Sequence, residues 1–361
     1  MQKEFIVFPC LRVDQPIGTF YIGVIDSHDL VAIAYADVRR PDGRDIERHI
    51  GTQRDLSEGR VAEIKQYVTT IDASFPTSII LAIESDYANF DEKAKEIKIL
   101  KDDKIAKIID GQHRIAGLED YDGDPFQLNI TIFIDMDIED QAMVFATINL
   151  KQTKVTKSLA YDLYEYTESR SPQKTCHNIA RLMNSRKNSP FFRRIKILGK
   201  STGIATEVLT QSTFVDRLLK LISKDPMGDK DRIKRKKALE RSVGKDLEFR
   251  IFRNRFIDEK DAEIAKILWN YFTAVAIRWP QAWSDFSRGM ILARSTGFAA
   301  LMRLLPSIMI NVNETDVPSS KFFVGYLKYS TLDDSEFTND NFKPGSSGES
   351  MLVNKFREEI L

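Results

Sequence analysis

Two hydrophobic rhythms divide the chain. In the first half, four apolar runs carry the alternation and β-branched content of strands: EFIVFPCLRV, TFYIGVID, SIILAI and NITIFIDM. A helical period falls between them in LSEGRVAEIKQYV, where Leu56, Val61, Ile64 and Val68 recur on one face. From Glu139 onward strand signals nearly vanish. Helical periods take over in EDQAMVFATINL, KSLAYDLYEYT, NIARLMN, TFVDRLLKLIS, DAEIAKILWNYFTAVAIRW and STGFAALMRLLPSIMI. The pattern predicts an α+β chain: a mixed sheet-and-helix domain over 1–140, a mostly helical domain over 141–330, and a polar, partly flexible tail over 331–361 that closes in a short helix.

Composition narrows the class. With 361 residues the chain can bury two sizeable cores, and its 53 basic and 53 acidic residues cancel, so it is neither disordered nor uniformly basic. Cys10 and Cys176 stand far apart without CxxC companions, which argues against a disulfide framework or zinc ribbon and fits a reducing cytoplasm. His28 and His49 lack partners at ligand spacing, and Cys176-His177 is an isolated pair, so spacing indicates no zinc site. The N-terminal stretch lacks the apolar core of a signal peptide, and no run approaches the roughly 18 apolar residues of a membrane span. A soluble, cytoplasmic protein without membrane contact is expected.

Charge that sums to nothing is nevertheless clustered. From Arg181 to Lys200 there are seven basic and no acidic residues, and KDRIKRKKALERSVGK adds a second block. Clustered cations are the electrostatic footprint that a phosphate backbone requires. Arg186, Lys187, Arg193, Arg194 and Lys196 in the first block, with Lys234, Arg235, Lys236 and Lys237 in the second, are the expected DNA contacts. The alternative for such runs is a solvated helix face.

The densest chemistry sits in IIDGQHRIAGL, residues 108–118. An apolar run ending at Asp110-Gly111 marks a strand end, and IAGLED resumes as a helix. Free N–H groups at a strand-to-helix turn, with donors from His113 and Arg114 and a close backbone approach at Gly111, suit a phosphate. An ordinary Asp-Gly turn with solvated side chains is the alternative.

Four segments in order, TQRDLSEGRVAEIKQYV, FPTSIILAI, DGQHR and FATINLKQTKVTKSLAYDL, closely resemble the DGQHR-domain family over about residues 5 to 170. That family includes the B proteins of bacterial DNA-modification operons, both phosphorothioate and 7-deazaguanine. It looks like a distant relative of the ParB and sulfiredoxin nucleotide-binding domain. The resemblance implies a ParB/sulfiredoxin-like first domain that binds ATP or another nucleoside triphosphate with Mg²⁺. Gly111, Gln112, His113 and Arg114 would cradle phosphates, with Arg54 and Arg60 as further contacts, and Asp110, Gln112 and His113 are the catalytic candidates. Sulfiredoxin carries its catalytic cysteine in this turn; Gln112 stands there in this chain, which argues against sulfinic acid reduction. Asn149 and Gln152 stand where ParB proteins place an Mg²⁺-holding Asn, so Asn149 and Asp110 are the metal candidates. Ile148 replaces the acidic residue that precedes it in those relatives.

Two functions follow. In the first, the chain is a nucleotide-hydrolysing, DNA-binding component of a DNA-modification system, with a lean toward 7-deazaguanine insertion from QTKVTKSLAYDL. In the second, it is a DNA-binding transcriptional regulator of a phosphorothioate operon. Expected partners are DNA, a nucleotide and a transglycosylase-like or sulfur-transfer enzyme, and self-association is compatible with either.

Overall fold

The computed structural model describes residues 4–36, 40–41, 49–50, 56–124, 126–151 and 156–361. Chain contacts resolve into two compact units, Met1–Thr153 and Lys154–Leu361.

In the first unit, β1 (Phe5–Gln15) and β2 (Gly18–Asp26) form a hairpin, Asp26 caps α1 (Ser27–Ile33), and β3 (Ala34–Tyr35) follows. The short strands β4 (Arg40–Pro41) and β5 (His49–Ile50) pair with each other ahead of α2 (Glu58–Val68) and β6 (Ile79–Ile83). A second hairpin, β7 (Ala88–Asp91) and β8 (Glu96–Leu100), leads to β9 (Ala106–Asp110), α3 (Gln112–Leu118), β10 (Gln127–Ile134) and α4 (Ile138–Lys151). Eight strands make one mixed sheet in the order β3-β9-β6-β10-β2-β1-β8-β7.

Register follows from the alternation. Ile6 and Phe8 of β1 lie opposite Ile99 and Ile97 of β8, all four buried, which puts both strands' apolar sets on one face. Leu30, Ile33, Val68, Ile115 and Leu118 from α1, α2 and α3 cover that face. The opposite face packs Ala82, Ile109 and Phe133 against Val144 and Phe145 of α4. The helix that begins near Glu139 therefore belongs to the sheet unit, and the boundary falls after it, later than the change of rhythm. The β7–β8 hairpin was not expected either. Only Ile97 and Ile99 carry its alternation, and the charged residues around them suit the exposed edge that the hairpin forms.

The second unit is helical: α5 (Lys157–Asp162) runs into a 3₁₀ turn at Leu163–Tyr166, then come α6 (Pro172–Ser185) and the two-residue parallel strands β11 (Ile195–Lys196) and β12 (Leu209–Thr210). The remainder is α7 (Gln211–Lys220), α8 (Pro226–Lys234), α9 (Lys245–Phe249), α10 (Arg253–Ile257), α11 (Asp261–Arg278), α12 (Pro280–Ser284), α13 (Ser295–Met309), α14 (Ser320–Leu327) and α15 (Ser346–Ile360). No strand interrupts residues 211–279. Phe191, Phe214, Phe272, Trp283 and Phe298 form its aromatic centre, with Phe191 and Phe272 centroids 4.7 Å apart.

The segment after Thr331 departs from the flexible tail expected. Leu332, Phe337, Phe342, Leu352, Val353, Phe356 and Ile360 are all buried in the helical core. Its polar residues are absorbed locally: Asp333 and Glu336 cap each other across a 3₁₀ turn, and Glu359 accepts from Ser330 Oγ and the Thr331 N–H. Widely spaced aromatics anchored it where a polar average suggested none. Among the described residues no helix is long and apolar enough to cross a membrane.

Candidate functional site

At the end of β9 the chain enters a corner, Asp110-Gly111-Gln112-His113-Arg114, where Asp110, His113 and Arg114 each have a task within the fold. Gly111 precedes α3 with φ +106°, and a Cβ there would meet Ile79 Cγ1 at 3.0 Å, so both backbone and space demand glycine. Opposite Asp110, the β6–β9 ladder slips register between Ile80 and Leu81, an irregularity that re-aims the strand end.

Arg114 turns inward. Its Nη1 donates to the Thr77 carbonyl at 2.5 Å and the Thr77 hydroxyl at 2.9 Å, and its Nη2 donates to the Ser78 carbonyl at 3.0 Å and Asp110 Oδ2 at 3.1 Å. Four of a guanidinium's five N–H groups are thereby used. Burial lowers the pKa of this guanidinium, and Asp110 opposes that shift. The residue expected to face a phosphate instead fastens the segment entering β6 to the end of β9. Sequence reading missed this because backbone carbonyls, which no side-chain motif encodes, supply half of the bonds.

His113 reaches the other way. Its Nε2 accepts the Ser57 N–H at 3.1 Å, which requires a neutral ring nitrogen there. Burial first, then the nearby Arg60 charge, lower the His113 pKa, while Asp110 acts in the opposite sense. Ser57 is the N-cap of α2, and its own side chain makes no capping bond. The corner thus positions the start of an eleven-residue helix. Arg60, in that helix's first turn, is exposed and makes no ion pair among the described residues. A Cβ on neighbouring Gly59 would meet nothing within 4 Å, so the approach is open. Further along, α2 and α3 cross at contact: a Cβ on Gly117 would sit 2.2 Å from Ile64 Cγ2.

Gln112 opens α3 and is half-buried. Arg54 and Gln152 lie outside the described residues, and Asn149 lies in α4 with its side chain outside the description. Of the two metal candidates only Asp110 has a described side chain, and one of its oxygens is already held by Arg114. That fits a structural carboxylate better than an Mg²⁺ ligand.

In the second unit the basic blocks separate into two kinds of residue. Arg186, Lys187 and Arg193 are exposed on the turns that join α6 to β11, with Arg193 over the Phe192 ring at 5.2 Å. Arg194 is not available to DNA in this structure. It donates to the Trp283 carbonyl at 2.8 Å, stacks on Trp283 and Phe286 at 5.1 and 4.8 Å, and burial lowers its pKa to about 10. Phe191, three residues before it in the basic block, is 1% exposed and belongs to the aromatic centre. Lys196 lies half-buried in β11 and acts electrostatically on Glu207. In the second block Lys234 ends α8, Arg235 pairs with Asp231 at 2.7 Å, and Lys236 and Lys237 are exposed beyond it.

A mixed-sheet unit with a cross-braced strand-to-helix corner, followed by a helical unit bearing exposed basic turns, defines an α+β protein. The chain belongs to the DndB family, described as DNA-sulfur modification-associated, whose profile matches residues 8–315. Its role accordingly lies in DNA sulfur modification. No curated protein matches it. Among solved structures it is similar to C-terminally truncated chromosome-partitioning protein ParB from Caulobacter crescentus complexed with CTP-gamma-S. That likeness has 10% identity and a TM-score of 0.27 and covers 56% of this chain and 81% of that one. An overlap of that size fixes neither fold nor ligand.

Proposed function

We propose that the chain is a DNA-binding regulator of a phosphorothioate-modification system that senses a nucleoside triphosphate in its first unit and holds duplex DNA with the basic turns of its second. The observation that carries the nucleotide site is the first turn of α2: among the described residues, a helix start without a side-chain cap, an open approach at Gly59 and the exposed guanidinium of Arg60, beside the His113 bond to Ser57. Helix N–H groups and an arginine with no ion pair among the described residues together favour an anion. In this reading His113 and Arg114 position the site, and Arg60 touches the phosphate.

Sensing is preferred to hydrolysis because Asp110, the acid best placed by sequence to serve water or Mg²⁺, is engaged by Arg114. The sulfur-linked family description favours the phosphorothioate branch over 7-deazaguanine, and a sulfur-transfer enzyme over a transglycosylase as partner. Titration of the full chain with ATP, with Mg²⁺ and duplex DNA present, tests the reading. Arg60→Ala should bind ATP about tenfold more weakly, a loss of about 1.4 kcal/mol, at unchanged thermal stability. Equal ATP affinity of wild type and Arg60→Ala would sink the proposed site. ATP turnover that is lost in a folded Asp110→Asn variant would replace the sensor with the hydrolase.

A further inference from the structure

Another cluster of chemistry lies within the helical unit. His177, on α6, has no exposed surface, and among the described residues neither of its ring nitrogens has a hydrogen-bond partner. An imidazole buried in that state has lost its hydration without replacement, at about 1–3 kcal/mol for an unsatisfied group. Asp162, the last residue of α5, and Glu165, in the 3₁₀ turn that follows, bring carboxylates to it. One oxygen from each and one His177 nitrogen all lie within 4.8 Å of one another.

The two carboxylates already share a cation. Arg181, one helical turn beyond His177, donates Nη1 to Glu165 and approaches Asp162 Oδ1 at 3.5 Å. Arg181 spends its donors on the carboxylates and makes no bond to the imidazole, so the lone pair of His177 is left unused among the described residues. A metal ion satisfies all three groups at once.

We propose that Asp162, Glu165 and His177 form a binding site for a first-row divalent metal ion of the Zn²⁺ or Mn²⁺ type, which enters by displacing Arg181. One imidazole with two carboxylates suits such an ion better than Ca²⁺ or Mg²⁺, whose shells are built from oxygen. Ligand atoms around an ion at about 2.1 Å stand roughly 3–3.5 Å apart, so the cluster must draw in by about an ångström. The exposed Glu165 side chain is free to make most of that movement, and water completes the coordination. Arg181 is 45% exposed and can leave toward solvent. The bound ion would bracket the α5 end and its 3₁₀ turn against α6. It would also release Arg181, the first cation of the first basic block.

Sequence spacing concealed the site because it paired His177 with Cys176. Successive helix positions point about 100° apart, and Cys176 is fully buried within the apolar core. The partners come from the preceding helix end, at an Asp-x-x-Glu interval that suits a tight turn.

The metal-free full chain titrated with Zn²⁺, and separately with Mn²⁺, by calorimetry tests the assignment. One ion per chain is expected, with a melting temperature that rises with free ion concentration. Arg181→Gln, which removes the competing cation, should tighten Zn²⁺ at least about fivefold, whereas Glu165→Gln and Asp162→Asn should each weaken it at least about tenfold. His177→Gln should do the same; Glu165→Gln, at an exposed position, supplies the decision if that variant fails to fold. Absence of binding in both wild type and Arg181→Gln overturns the site. So does Zn²⁺ affinity unchanged in Glu165→Gln and Asp162→Asn, which would place the ion elsewhere.

Discussion

The corner at Asp110–Arg114 and the turns around Arg193 both present arginine beside an aromatic or helical element, yet they use it in opposite ways. In the sheet unit the most recognisable charged motif is consumed by the fold: among the described residues Arg114 makes four hydrogen bonds and His113 one, whereas Arg60 in the neighbouring helix is exposed. In the helical unit Arg193 is exposed, while Arg194, the next residue, is locked over Trp283. Prominence in a motif and availability to a ligand are separate properties. Burial and competing acceptors decide the second.

The contrast is tested most severely at Arg114. Arg114→Ala leaves two carbonyls and a carboxylate without their buried donor, so unfolding stability should fall by about 3–5 kcal/mol, measured by denaturant unfolding. Arg114→Lys should recover only a minor part, since a single ammonium cannot span Thr77, Ser78 and Asp110. A variant as stable as wild type would return Arg114 to the role of a free ligand.

Arg194→Ala comes next. Loss of its carbonyl bond and two ring contacts should cost about 2–3 kcal/mol, while Arg193→Ala should leave melting almost unchanged. A comparable loss at both positions would erase the distinction between the two arginines.

A smaller effect, of a different kind, belongs to the exposed cations. Replacing Arg186, Lys187 and Arg193 together by Ala should weaken duplex DNA binding at all sequences and lower the slope of log affinity against log salt by roughly 0.9 for each phosphate contact removed. An unaltered slope would make these turns solvated surface.

The smallest expected effect concerns the C-terminal segment. Burial alone would raise the Glu359 carboxyl, but Lys355 at 2.6 Å and bonds from Thr331 and Ser330 draw it from 4.5 down to about 2. Its ionised form therefore stabilises the fold fully above the ordinary carboxylate range, and that contribution is lost as pH falls from 4.5 toward 2. Glu359→Gln should be about 1 kcal/mol less stable at neutral pH, and the gap should close over that acid interval.

The strands around β1, β2, β6 and β10 were legible because alternation is a local property that burial on one face imposes. The β7–β8 hairpin was not, since two isoleucines among charges give little contrast, and its place in the sheet depends on pairing with β1. The corner itself was legible as a turn. Its wiring was not, because Thr77 and Ser78 act through carbonyls and Ser57 through an N–H. Arg194 and the tail expected to be flexible were misread for one reason: average polarity of a segment conceals single residues that reach the core.

The crossing of α2 and α3 has a mechanical consequence. With Gly117 leaving no gap against Ile64, the two helices meet nearly backbone on side-chain stem and cannot slide by repacking a flexible group. His113 ties their starts together as well. Joined at their starts and closed at their crossing, the two helices form one packed wedge that begins where β9 ends.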